Sequence, residues 1–363
     1  MSAYPFDTLL VNAREVSLND VLQQQVIFRD AFEASLFSFI REWHSGAEQF
    51  SQHTSGSTGT PKVISVTRHQ MVTSARLTAE ALGLKKGDTA LLCLNPDFIA
   101  GKMMVVRCLI SGMKMIAVTP SANPLEHLGA DTIDFTAMVP YQVHDILRSP
   151  HPEKLQQVGS LLIGGAALDD ESLAMLQPFR CRCYATYGMT ETVSHIALKR
   201  LNGPDATDDY KTLPGIVISQ DERECLVIEA PHFDGKVVTN DVVQIRDAHT
   251  FAWRGRWDNI INTGGMKVMP EDLEAEVGKL FRAQKINNRF FIGSLPDGKL
   301  GSRIILIVEG HVPAPLRDTL MTSLRGQLPG YKTPKEIFAV PRFEYTGSDK
   351  INRKETLKGI AGL

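Results

Sequence analysis

The sequence has 363 residues, 43% of them apolar, with 39 basic against 41 acidic side chains and a net charge of −2. That is enough apolar chain for one large domain plus a smaller one, and it excludes disorder as the global state. With no basic arm or face, nucleic acid is excluded as the natural partner.

Five cysteines (Cys93, Cys108, Cys181, Cys183 and Cys225) lack metal-finger spacing and read as reduced thiols of a cytoplasmic protein. The N-terminal MSAYPFDTLLVNAREV has no basic stretch followed by an apolar core, so no signal peptide is expected. The longest apolar region, Met103 to Val118, carries Arg107 and Lys114 and falls short of a bilayer span. No membrane insertion is expected.

In chain order, a short extended piece precedes a helix expected from about Asp20 to Trp43, with apolar residues at three-to-four spacing. A glycine- and hydroxyl-rich stretch follows, Thr54-Ser55-Gly56-Ser57-Thr58-Gly59-Thr60-Pro61-Lys62. Glycines let backbone N–H groups turn inward, hydroxyls wrap anionic oxygens and Lys62 adds charge, the chemistry of a polyphosphate-holding loop. A Walker loop is a poor match, because Pro61 precedes the lysine and the strand-like Val-Ile-Ser-Val follows. A strand–loop–strand hairpin is the better reading, with a flexible Ser/Thr/Gly linker as the alternative.

Thr67 then caps a helix expected over about Arg68 to Leu82, which Gly83 ends. Strands at Ala90–Leu94, Met115–Val118, Thr136–Val139, Leu161–Ile163 and Cys181–Ala185 alternate with helices at Lys102–Ile110, Pro140–Arg148 and Leu168–Leu176. Strands this apolar, spaced by helices, imply a mostly parallel sheet covered on both faces. From about Gly215 to Arg256 the pattern turns strand-rich. Pro270-Glu271-Asp272 then opens a helix of a small α+β unit. The chain therefore reads as α/β, with a large N-terminal domain (1–257) holding the parallel sheet and a β-rich subdomain. A small mobile C-terminal domain (258–363) follows.

Three further motifs stand out. Tyr187-Gly188-Met189-Thr190-Glu191-Thr192 follows a buried strand, where doubly wound folds bind ligands. Its ring suits a nucleobase, its hydroxyls a phosphate and its carboxylate Mg2+. Alone it reads equally as a strand-end turn. Gly255-Arg256-Trp257-Asp258 and Ile261-Asn262-Thr263-Gly264-Gly265-Met266-Lys267 read alone as a hairpin with a charged rim. Gly347-Ser348-Asp349-Lys350-Ile351-Asn352-Arg353 reads alone as a solvated basic segment.

Together, from about residue 50 to 357, the four motifs resemble the adenylate-forming superfamily of acyl-CoA synthetases, peptide-synthetase adenylation domains and luciferases. The resemblance implies an AMP-forming acid–thiol ligase that uses ATP, Mg2+ and CoA. Thr54, Ser55, Gly56, Ser57, Thr58, Gly59, Thr60 and Lys62 would embrace the β- and γ-phosphates. Gly164, Gly165 and Ala166 would border the adenine against Tyr187 and Gly188. Thr190 would touch the α-phosphate, Glu191 would hold Mg2+, and Asp241 and Arg256 would bind the ribose. Asp258 would be the hinge, Gly264 and Gly265 would leave room for the CoA arm, and Lys350 would bridge the acid and the α-phosphate.

Three departures are visible, one of them Asp349 where the resembled motif has glycine before its lysine, which sets a carboxylate beside Lys350. The phosphate loop comes early, so a layer of the large domain is expected to be missing or replaced. In Val238-Thr239-Asn240-Asp241, Asn240 stands where the resembled motif has glycine, a change expected to matter little. Within the superfamily, Phe98-Ile99-Ala100-Gly101-Lys102, Ala137-Met138-Val139-Pro140-Tyr141-Gln142 and YGMTETVSHIAL are most similar to the o-succinylbenzoate–CoA ligases of menaquinone biosynthesis. Such an acid carries a second carboxylate that needs a polar partner in an apolar pocket. Lys102, Arg107, Ser194 and His195 are the candidates, with Phe98 and Ile99 as walls. Arg107 as a solvated helix residue and His195 as a core histidine are the competing readings. Ligases for another aryl or acyl acid, carrier-protein loading, and a non-catalytic nucleotide-binding scaffold also stay open, and a homodimer is compatible with all of these.

Overall fold

The computed structural model describes residues 4–53, 63–126, 128–129, 132–345 and 351–361. At its start β1 (Thr8–Val11) and β2 (Arg14–Ser17) form a hairpin, followed by α1 (Leu18–Leu22) and α2 (Ala31–His44). The single helix expected over Asp20 to Trp43 is thus two. Gln24 takes a positive φ of 58°, and Asp30 opens a fresh helix by accepting the Glu33 N–H. The apolar spacing concealed the break because Val21 and Val26 both reach the core that α2 fills.

β3 (Gln49–His53) and β4 (Val63–Thr67) pair antiparallel from Gln49 opposite Thr67 to His53 opposite Val63. The strand–loop–strand reading holds for both strands, and the loop joining them lies outside the described residues. α3 (Arg68–Leu82) has the expected ends. Thr67 and Gln70 form a capping box, and Gly83 stops the helix at φ 69°.

Strand and helix then alternate: β5 (Thr89–Leu92), α4 (Ile99–Ser111), β6 (Lys114–Ala117), β7 (Ile133–Met138), α5 (Pro140–Arg148), β8 (Val158–Ile163), α6 (Asp170–Leu176) and β9 (Arg182–Gly188). The order β9-β8-β7-β5-β6 is parallel throughout, and β1 adds to the far edge parallel to β6. Both faces are covered. Ala90 and Leu92 of β5 pack into the core filled by α2, α3 and α4, whereas Leu91 and Cys93 face α5 and Leu176 of α6.

β10 (His195–Arg200), β11 (Tyr210–Thr212), β12 (Val217–Gln220), β13 (Cys225–Glu229), β14 (Val237–Asp247) and β15 (Thr250–Arg256) pair antiparallel. Through the β9–β10 pairing they extend the same sheet to 13 strands. The β-rich part is therefore a continuation of the parallel sheet.

Past Arg256 the chain leaves that sheet through the 3₁₀ turn Trp257–Asn259. β16 (Ile261–Thr263) and β17 (Met266–Val268) form a hairpin. α7 (Pro270–Ala283), β18 (Phe290–Asp297), β19 (Gly301–Glu309), α8 (Ala314–Gln327), β20 (Glu336–Val340) and α9 (Arg353–Ala361) follow. This region has its own three-stranded sheet, β18-β19-β20, and its own core around Leu273, Val277, Ile292, Leu306 and Leu324. No helix among the described residues is long and apolar enough to cross a membrane, and all five cysteines are buried free thiols.

The capping box yields a direct test. Thr67→Ala removes an N-cap worth about 1 kcal/mol, which should lower the unfolding free energy by that amount and shift the urea midpoint down at unchanged slope. An unchanged midpoint would mean that the box does not hold the start of α3.

Candidate active site

The carboxyl ends of β7, β8 and β9 line up along one edge, where parallel sheets with covered faces leave a crevice. Gly164-Gly165-Ala166 leaves β8 there, with Gly165 at φ 94°. A side chain at Gly164 would come within 2.8 Å of the Thr186 hydroxyl, so only a bare backbone fits beside β9. Tyr187 and Gly188 are the last residues of β9 itself rather than of the turn after it.

One carboxylate ties this edge to the antiparallel strands. The Tyr187 hydroxyl donates to Asp241 Oδ2 at 2.6 Å, and Trp253 Nε1 donates to Asp241 Oδ1 at 3.3 Å. Arg256 Nη1 lies 3.6 Å from the same oxygen. Asp241 and Arg256 are direct partners in the β14–β15 register, so the pairing of two strands sets this contact. Burial and then the Asp241 charge push the Tyr187 phenol well above its ordinary value, which keeps it a donor. Its ring packs edge-on against Phe251, 5.2 Å between centroids. Tyr187, Asp241, Arg256 and Asp258, spread over the sequence, meet here, with Arg256 Nη2 donating to Asp258 at 3.0 Å.

Beyond Gly188, Thr190–Thr192 forms one 3₁₀ turn. Glu191 is exposed, and among the described residues its carboxylate has no hydrogen-bond or ion-pair partner. Val193 then adopts φ 67° and ψ −47°, while the Ser194 N–H donates to the Thr192 carbonyl at 2.7 Å. This is a γ-turn of the rare positive-φ kind, strained for a β-branched residue. It reverses the chain between Glu191, which points outward, and Ser194 and His195, which point in. Gly188 admits that reversal, since a side chain there would strike the Ser194 carbonyl.

Arg107 on α4 is 2% exposed. Its Nη2 donates to Ser194 Oγ at 2.8 Å and faces His195 Nδ1 at 3.5 Å. His195 Nε2 lies 3.2 Å from Thr78 Oγ1 on α3, and that hydroxyl donates to the Ser74 carbonyl at 3.0 Å. A guanidinium only donates, so Nδ1 must be the acceptor and Nε2 must carry the proton. Burial and the neighbouring guanidinium hold His195 well below the ordinary imidazole value, so the ring is neutral. Burial pulls Arg107 down to about 10, which still leaves it charged. Among the described residues no carboxylate pairs with it, and its Nε has no partner.

The other expected positions divide. Lys102 donates to the Ser51 carbonyl at 2.9 Å and lies over the Phe39 ring, so it braces β3. Phe98, at the start of α4, is 61% exposed. Gly264 and Gly265 form the two-residue tip of the β16–β17 hairpin at φ 58° and 79°, the backbone of a type I′ turn. Thr54, Ser55, Gly56, Ser57, Thr58, Gly59, Thr60, Lys62 and Lys350 lie outside the described residues. Thr78 and Trp253 were not singled out from the sequence. For Thr78 a signal existed: it falls on the same helical stripe as Met71, Ser74 and Ala75, where a buried hydroxyl needs a partner.

The profile of the family described as AMP-binding enzyme matches residues 41–228, just over half of the chain. The chain belongs to that family. It is 27% identical over 319 residues to the 2-succinylbenzoate–CoA ligase of Salmonella typhimurium, covering 83% of this chain but only 66% of that one. A probable 2-succinylbenzoate–CoA ligase of Mycobacterium tuberculosis is 25% identical over 332 residues, with 85% and 84% covered. Among solved structures, an acyl-CoA synthetase (AMP-forming)/AMP-acid ligase II-like protein from Dyadobacter fermentans is 39% identical with a TM-score of 0.64. That match covers 93% of this chain and 97% of the other. The O-succinylbenzoate coenzyme A synthetase of Bacillus subtilis, solved with ATP and magnesium ion, shares the fold at a TM-score of 0.69 and 20% identity. There 85% of this chain and 69% of the other are covered.

The lowered His195 value fixes a pH dependence. As pH falls below about 6.5, the unfolded chain takes up this proton before the folded one, so stability rises with pH and is lost on acidification. His195→Gln should flatten part of that fall, so the thermal midpoint of the parent drops more steeply between pH 6.5 and 5 than that of the variant. Parallel curves would place a charged imidazole in the folded protein.

Proposed function

We propose that the protein is an ATP- and Mg2+-dependent, AMP-forming acid–CoA ligase working in the cytoplasm, with 2-succinylbenzoate as its acid. The observation that carries this reading is the buried Arg107, a cation with no acidic partner among the described residues, beside a site that gathers nucleotide-binding residue types. A buried charge is costly unless it is paired, so an anion is the natural complement. Membership of the AMP-binding family and the names of the relatives support the same reading.

In this account Thr54, Ser55, Gly56, Ser57, Thr58, Gly59, Thr60 and Lys62 hold the β- and γ-phosphates of ATP. Gly164, Gly165, Ala166, Tyr187 and Gly188 hold its base, and Asp241 and Arg256 its ribose. Asp241 suits that task, since both its oxygens already face donors that fix their direction. Glu191, with its carboxylate unengaged among the described residues, fits a Mg2+ ligand. When bound, that ion neutralises charge on the phosphates.

Thr190 and Lys350 would steady the α-phosphate while the acid's oxygen attacks phosphorus and pyrophosphate departs. Residues 258–363 would then turn about Asp258 as one body against residues 1–257. Lys350 withdraws, and the Gly264-Gly265 tip passes the CoA thiol, which attacks the acyl carbonyl and releases AMP. The distal carboxylate of the acid would lie on Arg107, with Ser194 and His195 aiming the guanidinium and Phe98 at the mouth.

Acid-dependent exchange of labelled pyrophosphate into ATP tests the reading. 2-Succinylbenzoate should support exchange and thioester formation with CoA. Arg107→Met should raise KM for that acid about 30- to 100-fold, the loss of a charge-assisted contact, and spare an analogue lacking the distal carboxylate. It should also fold at least as stably as the parent, since it removes an unpaired buried charge. Exchange with no acid at all would favour a non-catalytic nucleotide-binding scaffold. Equal loss with both acids would remove Arg107 from the acid pocket.

A further inference from the structure

Asn240 lies on β14 between Thr239 and Asp241, at the position where the motif it resembles has glycine. Its amide joins two parts of the molecule. Oδ1 accepts from Arg223 Nη1 at 2.9 Å, and Nδ2 reaches both carboxylate oxygens of Asp258 at 3.4 and 3.2 Å. Only one orientation of the amide satisfies both sides, because a guanidinium only donates and a carboxylate only accepts.

Arg223 is itself anchored. It pairs with Asp221 at 2.7 Å and donates to the Thr239 carbonyl at 3.2 Å. Asp221 in turn accepts the N–H groups of Arg223 and Cys225, so the turn between β12 and β13 is tied down. The Trp257 ring, one residue before Asp258, has the Arg223 guanidinium 5.9 Å from its centroid. Lys267, from β17 past the turn, sits at 4.8 Å. The Trp257–Asn259 turn, the one connection from the 13-stranded sheet into the C-terminal region, is therefore gripped from the large lobe at two adjacent residues.

We infer that Asn240 is a positioning residue for the C-terminal lobe: its amide clasps Asp258 to Arg223 and biases the hinge toward the orientation seen here. Rotation between the two half-reactions must break the Asn240–Asp258 contacts, so the clasp sets the balance between them. A glycine at this position has no side chain to make them. The inference rests on the two-step ligase reading for its kinetic consequence but not for the clasp itself.

Two variants and two readouts test it. Asn240→Gly removes the clasp, and Asn240→Asp sets two carboxylates against each other. In protein labelled with 5-fluorotryptophan, the 19F resonance of Trp257, assigned through Trp257→Phe, should shift or broaden in both variants. The resonance of the core residue Trp43 should stay in place. The ratio of adenylation rate to the rate of thioester formation from preformed adenylate should change about threefold to tenfold in Asn240→Gly, with KM for ATP nearly unchanged. An unmoved Trp257 resonance, or an equal fall in both half-reactions, would overturn the inference. If the parent shows no acid-dependent exchange, the ligase reading fails while the Trp257 resonance still decides whether the clasp exists.

Discussion

A guanidinium buried with no acid beside it among the described residues is the constraint around which α3, α4 and β10 are arranged. Arg107 sits on α4 among Met104, Val106 and Cys108, in the core between helices and sheet. What surrounds it keeps the charge usable. Ser194 accepts one of its protons, and the neutral His195 turns its lone pair toward it while Thr78 holds the other nitrogen. Had His195 been charged, the cluster would hold two cations. Burial and the guanidinium together keep the imidazole neutral. Among the described residues no carboxylate meets the cation, and its Nε has no partner.

The Tyr187–Asp241 pair is joined to this cluster by a short stretch of backbone. Tyr187 closes β9 and faces Asp241, and Ser194 and His195 face Arg107, with one 3₁₀ turn and the γ-turn at Val193 between them. That link explains the strained backbone. A relaxed strand-to-strand connection would not point Glu191 outward and the next polar pair into the core within so few residues. It also places the site where the sheet changes character, because β9 pairs parallel with β8 and antiparallel with β10. The same Asp241 that meets Tyr187 reaches Arg256, and Arg256 reaches Asp258. The chemistry on the sheet edge and the turn that leads into the C-terminal region are therefore one connected set of charges.

Much of this was legible in the sequence, for physical reasons. Strands apolar on both faces could only be central and parallel, and β5 to β9 are. The ends of α3 were marked by Thr67 and Gly83, because capping needs those residue types. What escaped has causes as definite. The break between α1 and α2 carries no proline or glycine, only a positive φ at Gln24 and a cap at Asp30. The β1–β2 hairpin turns on Asn12 and Ala13 at positive φ, without the Asn-Gly signature. Arg107 stood among the candidates, but its burial was not legible, because α3 and β10 close over it and β10 mixes apolar with basic residues. Asn240 looked neutral because its partners, Arg223 and Asp258, are far away in sequence.

The central claim is that Arg107 and Asp241 mark the two ends of one bound intermediate. A crystal structure of the protein with a hydrolysis-resistant 2-succinylbenzoyl-adenylate analogue tests this most directly. The account predicts the distal carboxylate within about 3 Å of the Arg107 guanidinium and the ribose hydroxyls on Asp241. An analogue whose carboxylate lies in solvent while Arg107 still faces only Ser194 and His195, or whose ribose is away from Asp241, would contradict it.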